Sequence, residues 1–325
     1  MQEELLRLEH LSVDYKVKGG YLSAANDVNM VIHKGEILAV VGESGCGKST
    51  VAHSIMNLLP GGNEVVTGKV LFNGEDLHTF TWKQMESIRG KHIGMIFQNP
   101  LDSLNPVYMT GNQVEEGILL DKIDKVTAWN KVLSLYNDVK MPDAERRARS
   151  FPHELSGGMR QRVMIAMMIS RNPELLIADE PTTALDVTIE AQILEIIKEL
   201  KNTHNTAIML ITHNFGLVAE VADAVAVMYA GELIEYANVF ELFANPKHPY
   251  TQLLIKALPR GTKKQGRLQI IEGSVPRILD KKPGCRFANR CPYAMEHCTA
   301  ATPQAYEVAA GHTCRCFLME KKTEV

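Results

Sequence analysis

The stretch Gly42-Glu43-Ser44-Gly45-Cys46-Gly47-Lys48-Ser49-Thr50 is glycine-rich and ends in one lysine and two hydroxyls. It lies between the apolar run Ile37-Leu38-Ala39-Val40-Val41 and the helix-like Val51-Ala52-His53-Ser54-Ile55-Met56. A buried strand, a glycine turn and a helix start, in that order, form a cup of backbone N–H groups at a positive helix N-terminus, where a polyphosphate fits. The pattern G-x-x-x-x-G-K-S/T assigns Lys48 to the β- and γ-phosphates and the Ser49 hydroxyl to Mg²⁺. The plainer reading is a glycine turn without a ligand. The strand before it and the helix after it count against that reading.

Other residues suit work on a bound phosphate. The run Leu175-Leu176-Ile177-Ala178 ends in Asp179-Glu180, and two adjacent acids at a strand's C-terminal end are costly unless a cation or a reaction uses them. Asp179 is placed to hold Mg²⁺ through its water shell, and Glu180 to act as general base on the attacking water. The alternative is a pair capping the loop from Pro181 to Asp186. In Phe151-Pro152-His153-Glu154-Leu155-Ser156-Gly157-Gly158-Met159-Arg160-Gln161-Arg162, Ser156 is a helix N-cap and the two glycines leave the first turn open to an anion. A capped core helix is expected to need neither glycine. Gln98 directly follows the apolar Ile93–Phe97, and His213 closes the apolar Ala207–Thr212. A strand end beside the phosphate loop in a doubly wound sheet would let His213 hydrogen-bond the γ-phosphate.

Five of the six cysteines fall between 285 and 316. Cys285, Cys291 and Cys298 lack the tight C-x₂₋₄-C pairs of structural zinc sites, so an iron–sulfur cluster, zinc and free thiols all stay open. Arg286, Arg290 and Arg315 are expected to offset the negative charge of a cluster.

These groups need elements to carry them. Leu5 to Ile32 alternates like exposed strands around Gly19-Gly20, and Gly68 to Gly74 reads as a hairpin ending in an Asn-Gly turn. Tyr15, preferred over Tyr21, is the aromatic set to stack on a nucleotide base, packing on the sheet being the other reading. From about Asn99 to Ser150 the pattern turns helical, with a basic patch at Arg146, Arg147 and Arg149. Another helix is expected over Val187 to Lys201. The 325 residues allow two domains, and 45% hydrophobic with 22% charged is a globular balance. A net charge of -3 without long blocks of one sign gives no nucleic-acid surface. No apolar run reaches membrane-spanning length, and the N-terminus has no signal-peptide pattern, so a cytoplasmic protein is expected.

Together the motifs resemble the ATPase subunit of ATP-binding-cassette transporters. They are the P-loop Gly42 to Thr50, Q-loop Gln98, signature Leu155 to Gln161, Walker B Asp179 and Glu180, D-loop Ala184-Leu185-Asp186 and switch His213. The resemblance spans residues 5 to 245 and implies an α/β fold: a RecA-like P-loop NTPase core, an antiparallel β subdomain, an inserted helical subdomain near 99–165 and a small cysteine-rich C-terminal extension over 246–325. It implies ATP held by Tyr15, Gly42, Ser44, Gly45, Cys46, Gly47, Lys48, Ser49, Thr50, Gln98 and His213, with Mg²⁺ on Ser49, Gln98 and Asp179. Ser156, Gly157, Gly158 and Asp186 would meet the nucleotide of a second subunit. Lys48, Gln98, Glu180 and His213 carry the catalytic expectation.

The tail, with His248-Pro249-Tyr250-Thr251, Leu258-Pro259, Gly273-Ser274-Val275-Pro276 and Arg290-Cys291-Pro292, resembles the C-terminal extension of dipeptide and oligopeptide importer ATPases. That resemblance implies a 4Fe–4S cluster on Cys285, Cys291, Cys298 and Cys316, with Cys316 preferred to Cys314 and zinc as the alternative. Cys46, at a variable loop position, is excluded from the cluster. The implied partners are a second, paralogous ATPase subunit, two permeases and an extracytoplasmic peptide-binding protein, with the chain peripheral on the cytoplasmic membrane face. Nickel, glutathione or oligosaccharide cargo stays open, as does a soluble cassette ATPase acting on ribosomes or DNA.

Overall fold

The computed structural model describes residues 3–98, 103–183, 185–258 and 271–320. Ala184 of the expected D-loop, Pro259 and the start of the expected helical segment at 99–102 lie outside them. In chain order the elements are β1 (Glu4–Val17), β2 (Gly20–His33), β3 (Ile37–Val41), α1 (Lys48–Ile55), β4 (Glu64–Phe72), β5 (Glu75–Asp76), α2 (Trp82–Ile88) and β6 (Ile93–Ile96). Next come α3 (Thr110–Leu119), α4 (Lys125–Asp138), α5 (Ala144–Ala148), α6 (Gly157–Ile169), β7 (Leu175–Asp179), α7 (Val187–His204) and β8 (Ala207–Thr212). The last third holds α8 (Phe215–Val221), β9 (Ala224–Tyr229), β10 (Glu232–Asn238), α9 (Val239–Ala244), α10 (Pro249–Lys256), α11 (Glu296–Ala300), β11 (Tyr306–Ala309) and β12 (His312–Cys314). No described helix is long and apolar enough to cross a membrane.

The chain divides into two units, one built chiefly from Thr79–Ile211 and the other from Leu6–Val31, Leu38–His78 and the residues after Ile211. In the first unit β6, β7 and β8 run parallel, Ile93 facing Leu175 and Leu175 facing Ala207. Every residue of these strands is buried, which is why they read as unbroken apolar runs. Helices α3 to α6 pack on one another. Arg162 anchors α6, its Nη1 donating to Val139 O at 2.6 Å and Lys140 O at 2.9 Å and its Nη2 to Gln192 at 2.9 Å. Helix α2 carries no sequence expectation. Its start is marked by a capping box in which Thr81 and Gln84 satisfy each other's backbone N–H groups.

In the second unit one sheet has the order β2-β1-β4-β5. The strands expected to be exposed are half-buried instead, because Leu6, Leu8, Leu11 and Val13 point one face of β1 into the core. Asn73 and Gly74 make the expected turn, both with positive φ (50° and 83°), the primed geometry that matches strand twist. The other strands of this unit run β11-β12-β10-β9-β3, with β9 parallel to β3 and antiparallel to β10. The C-terminal segment therefore joins the sheet that carries the glycine loop, Cys314 of β12 pairing opposite Glu235 of β10. Glu235 takes three donors there: the N–H of Lys247 at 2.6 Å, the N–H of His248 at 2.9 Å and His312 Nε2 at 2.8 Å.

Candidate functional site

The glycine loop leaves the buried β3 and enters α1 at once, Gly47 standing just before the helix. A Cβ on Gly47 (φ 100°) would lie 2.2 Å from Ala24 O, and one on Gly42 (φ 153°) 2.2 Å from Met228 O. No side chain fits at either place, so the backbone alone shapes the loop. Lys48 is buried, with Nζ donating to Gly42 O at 2.9 Å and Glu43 O at 3.1 Å and lying 3.8 Å from Cys46 Sγ. Burial raises the Cys46 thiol above its ordinary value, against the pull of the Lys48 charge. Ser44 and Gly45 are exposed, while Ser49 and Thr50 are partly so. Tyr15 lies beside this loop, its hydroxyl hydrogen-bonded to the Thr50 side chain, and partial burial raises its phenol. His213 follows β8 directly and is exposed.

In the other unit, Asp179 ends β7 with 3% of its surface exposed. Glu180 follows at φ 46°, a left-handed conformation costly for a residue with a side chain, which turns it out of the strand. Its Oε2 accepts from Gln98 Nε2 at 2.8 Å and from Thr183 Oγ1 at 3.0 Å. The structure thus brings Gln98 to the acid expected to act as base.

Ser156 caps α6, its hydroxyl accepting the Met159 N–H at 3.4 Å, and both Ser156 and Gly157 are exposed. The expectation that a core helix needs neither glycine fails at Gly158. A Cβ there would lie 2.7 Å from Ile189 Cγ2 of α7, so packing alone demands the glycine. Gly157 would meet only an ordinary contact, Leu185 at 3.5 Å. Asp186, exposed, precedes α7 without a side-chain bond to that helix's N–H groups.

The second unit also holds a cavity walled by Cys285, Cys291, Cys298 and Cys316, together with aromatic and apolar side chains such as Phe287 and Phe317. Cys314 is not among its lining residues. Burial pushes the Cys285 thiol up to about 12 and raises Cys291 and Cys316 as well. His248 also lines the cavity, its Nδ1 accepting the Tyr250 N–H at 3.1 Å and its buried Nε2 having no hydrogen-bond partner. Among the described residues no group of three or more His, Cys, Asp or Glu is arranged to hold a single metal ion, so the expected cluster or zinc centre has no formed metal site.

The arginines expected to balance a cluster are engaged elsewhere. Arg286 pairs with Glu232 at 3.1 Å and donates to Ala230 O; Arg315 pairs with Asp27 at 2.6 Å; Arg290 pairs with Glu43 at 2.6 Å. Each carboxylate is distant in sequence and each guanidinium is largely buried, which makes the pairs fasteners of the C-terminal segment.

The family model described as ABC transporter matches residues 25–183, and that described as oligopeptide/dipeptide transporter, C-terminal region, matches residues 234–298. A probable peptide ABC transporter ATP-binding protein of Sinorhizobium fredii is 46% identical over 316 residues, 96% of this chain and 94% of that one. The dipeptide transport ATP-binding protein DppD of Bacillus subtilis is 44% identical over 324 residues, 99% of this chain and 97% of that one. Among solved structures, the dimeric bacterial ABC transporter cassette MJ0796 superposes with a TM-score of 0.65 at 26% identity, covering 72% of this chain and 99% of that one. The same cassette in a post-hydrolysis state bound to ADP and Pi matches with a TM-score of 0.65 at 25% identity, over 72% of this chain and 99% of that one.

Proposed function

The chain belongs to the ABC transporter family as an ATPase of the peptide-importer kind, and on that premise we propose that it powers peptide uptake through partner permeases. The observation that carries the catalytic part is the pair of constructions just described: a backbone-shaped loop around Lys48 and a Gln98-bound Glu180. Lys48 has three N–H donors. Two go to loop carbonyls, and the third meets only the weak sulfur acceptor of Cys46, so a β- or γ-phosphate oxygen is its best remaining partner. The N–H groups of Gly45 to Ser49 add the start of the α1 dipole, and Tyr15 supports the base.

Glu180 is the general base that takes the proton of the attacking water. Gln98 and Thr183 orient its carboxylate, and Gln98 reports on the γ-phosphate. His213 hydrogen-bonds that phosphate. The oxygen donors of Ser49, Asp179 and Gln98 suit a hard cation, and Mg²⁺, when bound, neutralises phosphate charge. Ser156, Gly157 and Gly158, with Asp186, present an open helix N-terminus to the ATP of a second, paralogous subunit. Loss of the γ-phosphate removes the charge that bridges the pair, which then reopens.

The partners in this reading are two permeases and an extracytoplasmic peptide-binding protein, with the chain peripheral on the cytoplasmic face of the membrane. Affinity purification of the tagged chain from its own membranes tests it. Two multi-spanning permeases and a second ATP-binding chain are expected; recovery with ribosomes or DNA and no membrane protein would overturn it.

For the cavity, the reading is a 4Fe–4S cluster on Cys285, Cys291, Cys298 and Cys316. One observation supports it: the four thiols line one space. A bound cluster would supply a rigid cross-link or a redox centre and would take the place of the thiol protons. Anaerobically purified protein should be brown and lose that absorbance in Cys291→Ser. A colourless protein carrying zinc would overturn the assignment.

A further inference from the structure

The C-terminal segment holds the nucleotide loop at Glu43. Arg290 Nη1 donates to Glu43 Oε2 at 2.6 Å and Nη2 to Oε1 at 3.0 Å, a two-pronged pair with side chains 8% and 29% exposed. The backbone N–H of the same Glu43 donates to the hydroxyl of the fully buried Tyr250 at 3.0 Å. Arg290 is itself fixed, donating through Nε to Glu272 O at 2.8 Å and through Nη1 to Tyr229 OH at 3.2 Å. Tyr229, Tyr250 and Phe287 form one aromatic cluster, with ring centroids 4.8 to 5.4 Å apart. A second hold acts one step removed: Gly231 N–H donates to Cys46 O at 2.8 Å, and Arg286 donates to the neighbouring Ala230 O.

Glu43 lies between Gly42 and Ser44, inside the loop whose backbone must present its N–H groups to phosphate. Its own N–H is committed to Tyr250, so it serves the loop's shape. The Arg290 fork fixes the side chain of the same residue in two directions, as a planar guanidinium does and an ammonium does not. Arg290 is followed by Cys291, and Phe287 belongs to both the aromatic cluster and the cavity wall. The cavity wall and the loop are thus joined through one short run of chain.

We propose that Arg290 is a positioning residue for ATP, and that the C-terminal segment sets the affinity of the nucleotide loop through the Arg290–Glu43 pair and the Tyr250 hydroxyl. The proposal rests on the reading that this loop binds ATP. It makes the tail part of the ATPase engine and gives any change in the cavity a path to the loop that runs within one unit.

The test measures binding of a fluorescent ATP analogue and steady-state ATP hydrolysis on the full chain. Arg290→Ala and Glu43→Gln should each weaken nucleotide binding about five-fold or more and raise KM more than they lower kcat. The double variant should bind no worse than the weaker single one, because both remove the same pair. Arg290→Lys, which keeps the charge without the fork, should recover part of the affinity and serves as the reading if Arg290→Ala does not fold. Tyr250→Phe should weaken binding by a smaller factor. Affinities within two-fold of the parent in both single variants, or losses that multiply in the double variant, would overturn the clamp. Unchanged binding in Lys48→Ala would instead remove the loop's role in nucleotide binding, a failure of the premise that is distinguishable from failure of the clamp.

Discussion

The glycine loop and the four-cysteine cavity are built on opposite principles although they share one unit. The loop is contiguous in sequence, shaped by backbone, and holds one buried lysine against its own carbonyls. The cavity draws its walls from residues spread between His248 and Leu318, with aromatic side chains among them, and burial raises its Cys285, Cys291 and Cys316 thiols. Preformed polar geometry receives a charged ligand with little rearrangement, whereas a desolvated set of thiols exchanges protons for a ligand and couples binding to pH.

The comparison breaks hardest at Lys48. Lys48→Ala removes the charge proposed to meet the phosphates and should weaken ATP binding about a hundredfold, measured by equilibrium binding of labelled nucleotide. Retained affinity would show that the backbone cup suffices.

A smaller effect separates packing from chemistry at the head of α6. Gly158→Ala pushes a Cβ to 2.7 Å from Ile189 and should cost about 1–3 kcal/mol of stability by overpacking. Gly157→Ala, with room at 3.5 Å, should leave thermal unfolding nearly unchanged while lowering ATP hydrolysis in the assembled transporter. Normal hydrolysis in Gly157→Ala would reduce the signature to a packing element.

The smallest effect is a pH dependence. Burial lowers His248 from 6.5 to about 4, and its Nδ1 already accepts the Tyr250 N–H, so the folded state holds the neutral ring. The unfolded chain binds the proton first as pH falls. This contribution to stability is therefore full above about 6.5 and is lost towards 4. The unfolding midpoint should fall across that window and fall less in His248→Asn, which keeps an acceptor for the cap.

What was legible in the sequence follows from how local its cause is. The strand-loop-helix around Lys48, the Ser156 cap and the Asn73-Gly74 turn each depend on neighbours within a few residues, and the structure has all three. The β9–β10 hairpin turns on Ala230-Gly231, at φ 46° and 88°, and an alanine in that position gives no turn signal. Its buried run Ala224–Tyr229 was the available clue. Helix α2 has only seven residues and an exposed Trp82 at its start, too short for periodicity to speak. Proximity in sequence suggests a shared purpose for the arginines beside the cysteines, and the structure gives them other partners. Their carboxylates, Glu43, Asp27 and Glu232, are brought in by sheet pairing and chain return, which no spacing rule encodes. Gly158 likewise answers to Ile189, a residue of the next helix but one element away in sequence.

The account's central claim is that Glu180 performs the proton transfer on an ATP that other residues bind. Glu180→Gln keeps the size of the side chain and removes the base, so ATP affinity and single-turnover hydrolysis measured on this one variant test the claim directly. Affinity near that of the parent with hydrolysis slowed by about a hundredfold or more is the predicted result. Hydrolysis at the parental rate would contradict it.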